Sequence, residues 1–216
     1  MSELLKLENI CFSYGRKAVL KDINYSFSSG KIYAIVGKSG AGKTTLLSVI
    51  SGLAEPTSGM VWCNGKPLNE MDKYRYRSKE IGVIFQNFNL LTKLTAVENV
   101  ELSMEISGVK SSGKREKAYE LLEQMGLTRE EADSRVLKLS GGQQQRVAIA
   151  RALSYDPDII LADEPTGNLD EETQKEILAI FKDLARQGKC VIIVTHSSYV
   201  AEQADEKIVL SLLNNK

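Results

Sequence analysis

The sequence predicts an α/β protein: a core built on a mixed, largely parallel sheet, with an N-terminal antiparallel β-subdomain and an inserted α-helical subdomain. Three observations carry that prediction. Two strand-like stretches follow one another near the N-terminus, two continuous apolar runs stand late in the chain, and between them the apolar spacing becomes helical.

Leu4 to Tyr14 and Val19 to Phe27 mix apolar and polar residues in near alternation and are separated by Gly15-Arg16-Lys17, a turn-like break. They predict an antiparallel pair. Lys31 to Val36 is a short apolar run ending in a glycine-rich turn, and Lys43 to Ile50 then shows helical spacing before Gly52, a helix stop. Strand, loop and helix follow in that order. Asp158 to Ala162 and Cys190 to Val194 are continuous rather than alternating, the pattern of parallel strands buried on both faces. Between Asn87 and Pro157 the apolar spacing is near 3.6, in Val97, Val100, Leu102 and Met104 and again in Tyr119, Leu122 and Met125. The chain therefore divides into a core over 1–86 and 158–216 and a helical subdomain over 87–157. There is no internal repeat, low-complexity tract or linker, and the charge-dotted Lys73 to Lys79 and Lys110 to Lys117 read as solvated faces.

The 216 residues suit one sizeable domain, and 43% apolar with 26% charged residues is an ordinary globular composition. Lys+Arg and Asp+Glu are equal at 28 each, which removes the polyelectrolyte drive toward nucleic acid. Cys11, Cys63 and Cys190 are odd in number and far apart, so neither a disulfide framework nor a C-x-x-C metal site is expected, and a reducing cytoplasm fits best. No apolar run reaches the 18 or so residues that a membrane-spanning helix needs, and the N-terminus lacks a leader pattern.

The segment Gly37-Lys38-Ser39-Gly40-Ala41-Gly42-Lys43-Thr44 matches G-x-x-x-x-G-K-[ST] and lies between an apolar strand and a helix start. Glycines let successive N–H groups curl toward phosphate oxygens, and the helix N-terminus adds favourable partial positive charge. Lys43 is placed to reach the β- and γ-phosphates and the Thr44 hydroxyl to ligate Mg²⁺, with Thr45 adjoining. The expected ligand is a nucleoside triphosphate, on a P-loop NTPase core. Asp163 and Glu164 end a later strand, the place for a metal-orienting Asp and an acid that polarises attacking water. In isolation such a pair is more often a solvated turn, but behind a phosphate loop the catalytic reading prevails.

Leu139-Ser140-Gly141-Gly142-Gln143, followed by Gln-Gln-Arg146 and Val-Ala-Ile-Ala-Arg151, makes the chain resemble the ABC ATPase family throughout. Ser140 with two glycines opening a helix forms a second anion cradle; taken alone it is an ordinary helix cap. The resemblance implies an ATP-hydrolysing subunit using ATP and Mg²⁺. It also implies a head-to-tail pair with an identical or related cassette, in which Ser140, Gly141, Gly142 and Gln143 of one chain close over the γ-phosphate held by Lys43 of the other. Further positions occur in order: Tyr14 in Phe-Ser-Tyr-Gly, Gln86 after Ile81 to Phe85, Gly167-Asn168-Leu169-Asp170, and His196 after the last apolar strand. By resemblance Tyr14 stacks on adenine, with Phe12 the competing aromatic, and Gln86 senses metal and water. His196, the only histidine, contacts the γ-phosphate, and Asp170 belongs to the nucleotide site.

Phe88, Leu90, Leu91 and Leu94 stand in a loop where apolar side chains would avoid water. They either pack beneath the helical subdomain or, by resemblance, receive a coupling helix of a separate transmembrane permease at the cytoplasmic face. Glu164-Pro-Thr-Gly-Asn-Leu-Asp170 resembles the branch of macrolide exporters, lipoprotein-release ATPases, antimicrobial-peptide exporters and the cell-division ATPase. The leading expectation is export or extraction of a peptide-like or amphipathic substrate. The alternative is a mechanical, non-transport ATPase acting on a cell-surface partner. Soluble ABC proteins of translation or DNA repair are disfavoured, since neither a second cassette nor a long coiled coil is present. About twenty residues follow His196, too few for an appended regulatory domain.

Overall fold

Two sheets of different kind organise the chain, and each follows from its local pattern. The structure, a computed structural model, describes residues 2–110, 112–167 and 169–211. β1 (Glu3–Tyr14) and β2 (Lys17–Ser28) pair antiparallel with Tyr14 opposite Lys17, so the turn at Gly15-Arg16 is tight and both strands run slightly longer than the alternation alone marks. β3 (Ile32–Val36) leads through the glycine loop to α1 (Lys43–Ile50). β4 (Ser58–Cys63) and β5 (Lys66–Pro67) then complete a four-stranded sheet of order β2-β1-β4-β5, all antiparallel. The sequence reading left residues 53–80 without an element. β4 is visible only through its pairing to β1, for example Leu7 opposite Val61.

A short helix, α2 (Lys73–Arg75), and a wide π-type turn over Tyr76–Glu80 lead to β6 (Ile81–Ile84). Lys73 to Lys79 is only partly a solvated face. Tyr76 is fully buried with its hydroxyl donating to the Ile50 carbonyl at 2.8 Å, and Arg77 donates to the Gly52 carbonyl at 3.0 Å. The helical segment follows: α3 (Ala96–Ile106), α4 (Lys114–Gln124), α5 (Arg129–Asp133) and α6 (Gly141–Leu153). Val97, Val100, Met104, Tyr119, Leu122 and Met125 are buried there, whereas Leu102, off the stripe, is half-buried.

β7 (Ile159–Asp163), α7 (Glu171–Arg186), β8 (Cys190–Val194), α8 (Ser198–Glu202) and β9 (Glu206–Val209) close the chain. β6, β7, β8, β3 and β9 form in that order a five-stranded sheet in which every pairing is parallel. The predicted mixture of directions is thus divided between two sheets. Continuous apolar strands have a direct reason here. Along β7 and β8, Ile159, Leu161, Cys190, Ile192 and Val194 face a core shared with α1 and the antiparallel sheet. Their neighbours Ile160, Ala162, Val191 and Ile193 face a second core shared with α6 and α7. Burial on both faces removes the need for alternation. Among the described residues no helix is long and apolar enough to cross a membrane.

Candidate functional site: a phosphate cleft at the strand ends

The carboxyl ends of β3, β6, β7 and β8 meet at one side of the parallel sheet, where ligands of open α/β sheets bind. A cleft of about 270 Å³ opens there, lined by Ser39, Gly40, Gly42 to Thr45, Gln86, Asp163, Glu164 and His196, with Val19 and Val194 as apolar walls. Five stretches far apart in sequence therefore converge on one volume.

The loop that feeds α1 is shaped by close approach. A Cβ at Gly37 would lie 2.4 Å from the Leu210 carbonyl oxygen. At Gly42, where φ is 91°, it would meet Val19 and Leu20 side-chain atoms at 2.9 Å. Only glycine fits either position. Ala41 points into the core, Gly37 backs onto Leu210, and Lys38 is exposed, so these three shape the loop without lining the cleft. No side chain caps the N-terminus of α1, which leaves its first N–H groups directed at the cleft. Lys43 is only 6% exposed, and its ammonium donates to the carbonyls of Gly37 at 2.9 Å and Lys38 at 3.3 Å. That bridge holds the lysine across the loop it must serve.

Asp163, 9% exposed, ends β7 beside the Thr44 hydroxyl. Burial raises its pKa from the ordinary value, against the opposing effects of the Thr44 hydrogen bond, the Lys43 ammonium and His196. Burial wins because a desolvated carboxylate loses more hydration than these neighbours return. A cation between Asp163 and Thr44 would offset that cost, and this donor set fits Mg²⁺, which takes one or two protein oxygens and completes its shell with phosphate and water. Among the described residues no group of three or more His, Cys, Asp or Glu could hold a metal ion.

Glu164 carries backbone strain, with φ at 47° in the left-handed region. Its N–H donates to the Val194 carbonyl at 2.9 Å, and its Oε2 accepts from the His196 N–H at 3.2 Å. Oε1 is buried, lies 3.3 Å from His196 Nε2 and has no hydrogen-bond partner among the described residues. Strain at such a residue persists only where its surroundings hold it, and here Val194 at the end of β8 and His196 just beyond it hold Glu164.

The structure places the remaining expected residues elsewhere. Phe12 is 8% exposed and belongs to the core. Tyr14 is 61% exposed and packs edge-to-face on Phe12 with centroids 4.9 Å apart, outside the cleft lining. Ser140 caps α6: its Oγ accepts from the Gln143 N–H at 3.2 Å and its own N–H donates to Gln143 Oε1 at 2.7 Å. Gln143 also donates to Glu131 at 2.6 Å. Gly141 and Gly142 open the same helix, and a Cβ at Gly142 would strike Thr173 at 2.9 Å. Asp170 caps α7 through Thr173. None of these lines the cleft. Asn168, part of the Gly167 to Asp170 motif, lies outside the described residues.

The sequence reading missed Val19 and Val194 as walls, since no local pattern marks them. It also assigned no role to Asn99 or Arg151, which hold the loop after Gln86. A lone charge inside the apolar run Val147 to Leu153 was the available signal for Arg151. Phe88 and Leu90 pack against the helical core and Leu94 is half-buried, whereas Leu91 is 49% exposed.

Residues 20–167 match the family model described as ABC transporter. The chain is 46% identical over 211 residues to YclH of Bacillus subtilis (strain 168), named an uncharacterized ABC transporter ATP-binding protein, covering 96% of this chain and 93% of that one. It is 43% identical to the macrolide export ATP-binding/permease protein MacB of Bartonella henselae, covering 96% of this chain but 32% of MacB. Its fold superposes on a dimeric, post-hydrolysis structure of the ATP-binding cassette MJ0796 bound to ADP and Pi. The TM-score is 0.89 and the identity 39%, over 97% of this chain and 96% of that one. A phosphate cleft of this geometry on this fold leaves one assignment: the chain belongs to the ABC transporter family, as an ATP-binding and ATP-hydrolysing subunit.

Proposed function

We propose that two such cassettes, identical or related, close head to tail on ATP and drive a separate membrane permease from its cytoplasmic face. The convergence of Lys43, Asp163, Glu164, Gln86 and His196 in one cleft, with the Ser140 cradle outside it, carries this reading. A cradle that caps its own helix and does not line its own cleft is disposed to serve a neighbour's. The dimeric state of MJ0796 supports the same arrangement.

In this reading Gly40, Gly42 and the α1 N–H groups hold phosphate oxygens, and Lys43 reaches the β- and γ-phosphates. Tyr14 offers its ring to adenine. Asp163, Thr44 and Gln86 would hold Mg²⁺, which would supply positive charge to the transferring phosphoryl group. Glu164 Oε1 takes a proton from the attacking water, and His196 Nε2 faces the γ-phosphate. The partner's Ser140 cradle and Asp170 complete the site, and residues 87–157 act as a helical subdomain that carries the cradle to it.

We assign the export or extraction of a peptide-like or amphipathic substrate as the work done. The macrolide-export name of a relative that matches nearly the whole chain supports the export direction alone. The exposed Leu91 beside Gln86 offers a surface to the permease. A mechanical role at the cell surface is the second reading, favoured if ATPase activity follows an extracellular partner and ignores any transported substrate.

Size-exclusion chromatography with light scattering on Glu164→Gln protein, with and without Mg-ATP, tests the shared site. Dimers that appear with Mg-ATP and vanish when Ser140→Arg is added support it. A monomer in every condition removes the homodimeric engine.

A further inference from the structure

Just after Gln86 the chain turns through two consecutive non-glycine residues in the left-handed region, Phe88 at φ 58° and Asn89 at φ 50°. Such backbone is unfavourable for residues with a Cβ and persists where the surroundings hold it. Within the turn, Phe88 N–H donates to the Phe85 carbonyl at 3.0 Å and Asn89 N–H to the Asn87 carbonyl at 2.5 Å. The outside support comes from the last turn of α6. Arg151 Nη2 donates to the Phe88 carbonyl at 2.8 Å and Nη1 to the Asn89 carbonyl at 2.5 Å. One planar guanidinium therefore bonds both left-handed residues, each carbonyl from a different nitrogen of a rigid fork, whereas a lysine presents all its donors on one nitrogen at the end of a flexible stem.

Arg151 is half-buried, and that burial lowers its pKa from the ordinary value. Among the described residues it forms no ion pair with a carboxylate, so carbonyl dipoles bear the charge. A half-buried cation without a counter-ion is costly, and apolar residues fill the surrounding α6 positions Ala148, Ile149, Ala150 and Ala152. Packing alone gives no reason for an arginine here. The far end of the loop is held separately: buried Asn99 accepts from Leu91 N–H at 2.8 Å and donates to the Leu91 carbonyl at 3.2 Å.

We propose that Arg151 is a positioning residue for Gln86: its grip on the Phe88 and Asn89 carbonyls ties the end of the helix opened by Ser140 to the loop that carries Gln86 into the cleft. α6 and the glutamine proposed to contact the metal then move as one piece. This rests on the reading of Gln86 as a contact for metal and water.

The test uses the full chain with Arg151→Lys, Gln86→Ala, the double variant, and Asn89→Pro, which forbids positive φ without touching α6. In Arg151→Lys, hydrogen exchange at the Phe88 and Asn89 amides accelerates by about ten-fold or more while α1 amides are unchanged. The ATPase kcat falls by about ten-fold or more and the Mg²⁺ midpoint rises, with ATP binding in EDTA held within about two-fold. In the Gln86→Ala background the lysine substitution has less than about a two-fold further effect. Asn89→Pro reproduces the Mg²⁺ shift from the other side of the contact, and does so even if Arg151→Lys does not fold. Native exchange and Mg²⁺ dependence in Arg151→Lys, additive losses in the double variant, or native behaviour of Asn89→Pro each overturn the proposal. Native kinetics in Gln86→Ala overturn the reading of Gln86 itself, and the proposal with it. Impaired Gln86→Ala beside native Arg151→Lys sinks the proposal alone.

Discussion

Lys43 and Glu164 line one cleft, and the roles proposed for them act at different stages that substitution separates. Lys43 is held across the phosphate loop before any ligand arrives, so Lys43→Ala removes charge that binding itself uses and weakens nucleotide affinity. Glu164 offers an acceptor that matters when water loses its proton. Glu164→Gln therefore keeps nucleotide affinity and slows hydrolysis by roughly 10²–10⁴-fold, as for loss of a general base. Equilibrium nucleotide binding beside single-turnover rates checks both, and equal loss of binding in the two variants contradicts the roles. Asp163 adds a pH dependence whose sign follows from its raised pKa. A carboxyl that holds its proton more tightly when folded favours folding at low pH and loses that contribution as pH rises through the folded value. At neutral pH the ionised, buried Asp163 thus costs stability. Asp163→Asn is expected to raise the Tm of nucleotide-free protein at pH 7, with the gain vanishing below the carboxylate range. With Mg-ATP the order reverses, because only the native residue gains stability from the metal. A lower Tm for Asp163→Asn at pH 7 without nucleotide would sink this account.

Helix ends differ in what satisfies their first N–H groups. Thr95, Thr128 and Ser140 form reciprocal capping boxes with Glu98, Glu131 and Gln143, whereas α1 has no side-chain cap. Thr95→Ala and Ser140→Ala each remove a cap, at about 1 kcal/mol. For a domain of this size that lowers Tm by about 2–4 °C. The two variants part company in ATP-driven dimerisation of the Glu164→Gln protein. Thr95→Ala leaves it intact, and Ser140→Ala weakens it by about ten-fold or more through the lost hydrogen bond to the partner's nucleotide. Light scattering against protein concentration reads the difference. Equal dimerisation in both variants makes Ser140 a cap and nothing else.

At the scale of the whole molecule, the two sheets share one core on the face that holds α1. Cys63 on β4 and Cys190 on β8 both lie in it, and burial pushes each thiol up to about 12. Thiolate is the reactive form, so both are inert while the sheets stay together. Cys11, half-buried on β1, is reachable from solvent. Alkylation at pH 8 followed by mass spectrometry is expected to modify Cys11 in the native protein and all three thiols only after denaturation. Modification of Cys63 with Cys190 protected would show that the antiparallel sheet opens on its own.

Much of the fold was legible because its signals are local: the continuous runs of β7 and β8, the α1 boundaries, and the helical spacing of 97–104 and 119–125 come from burial patterns that neighbours in sequence share. The glycine loop, the Asp163–Glu164 pair and the Ser140 pentapeptide were equally legible, since phosphate and metal chemistry demands fixed residue types at fixed spacing. β4 and β9 were not, because each is a strand through partners distant in the chain. Which of Tyr14 and Phe12 stands exposed was decided by which ring the sheet buries, and the loop apolars were sorted by packing that left Phe88 half-buried and Leu91 exposed. The strain at Glu164 and the Arg151 grip on Phe88 and Asn89 are likewise invisible in sequence. Residue identity alone thus determined the nucleotide chemistry, whereas tertiary structure decided its placement, since the groups that meet at the cleft and its loop belong to strands and helices brought together only by the folded sheet.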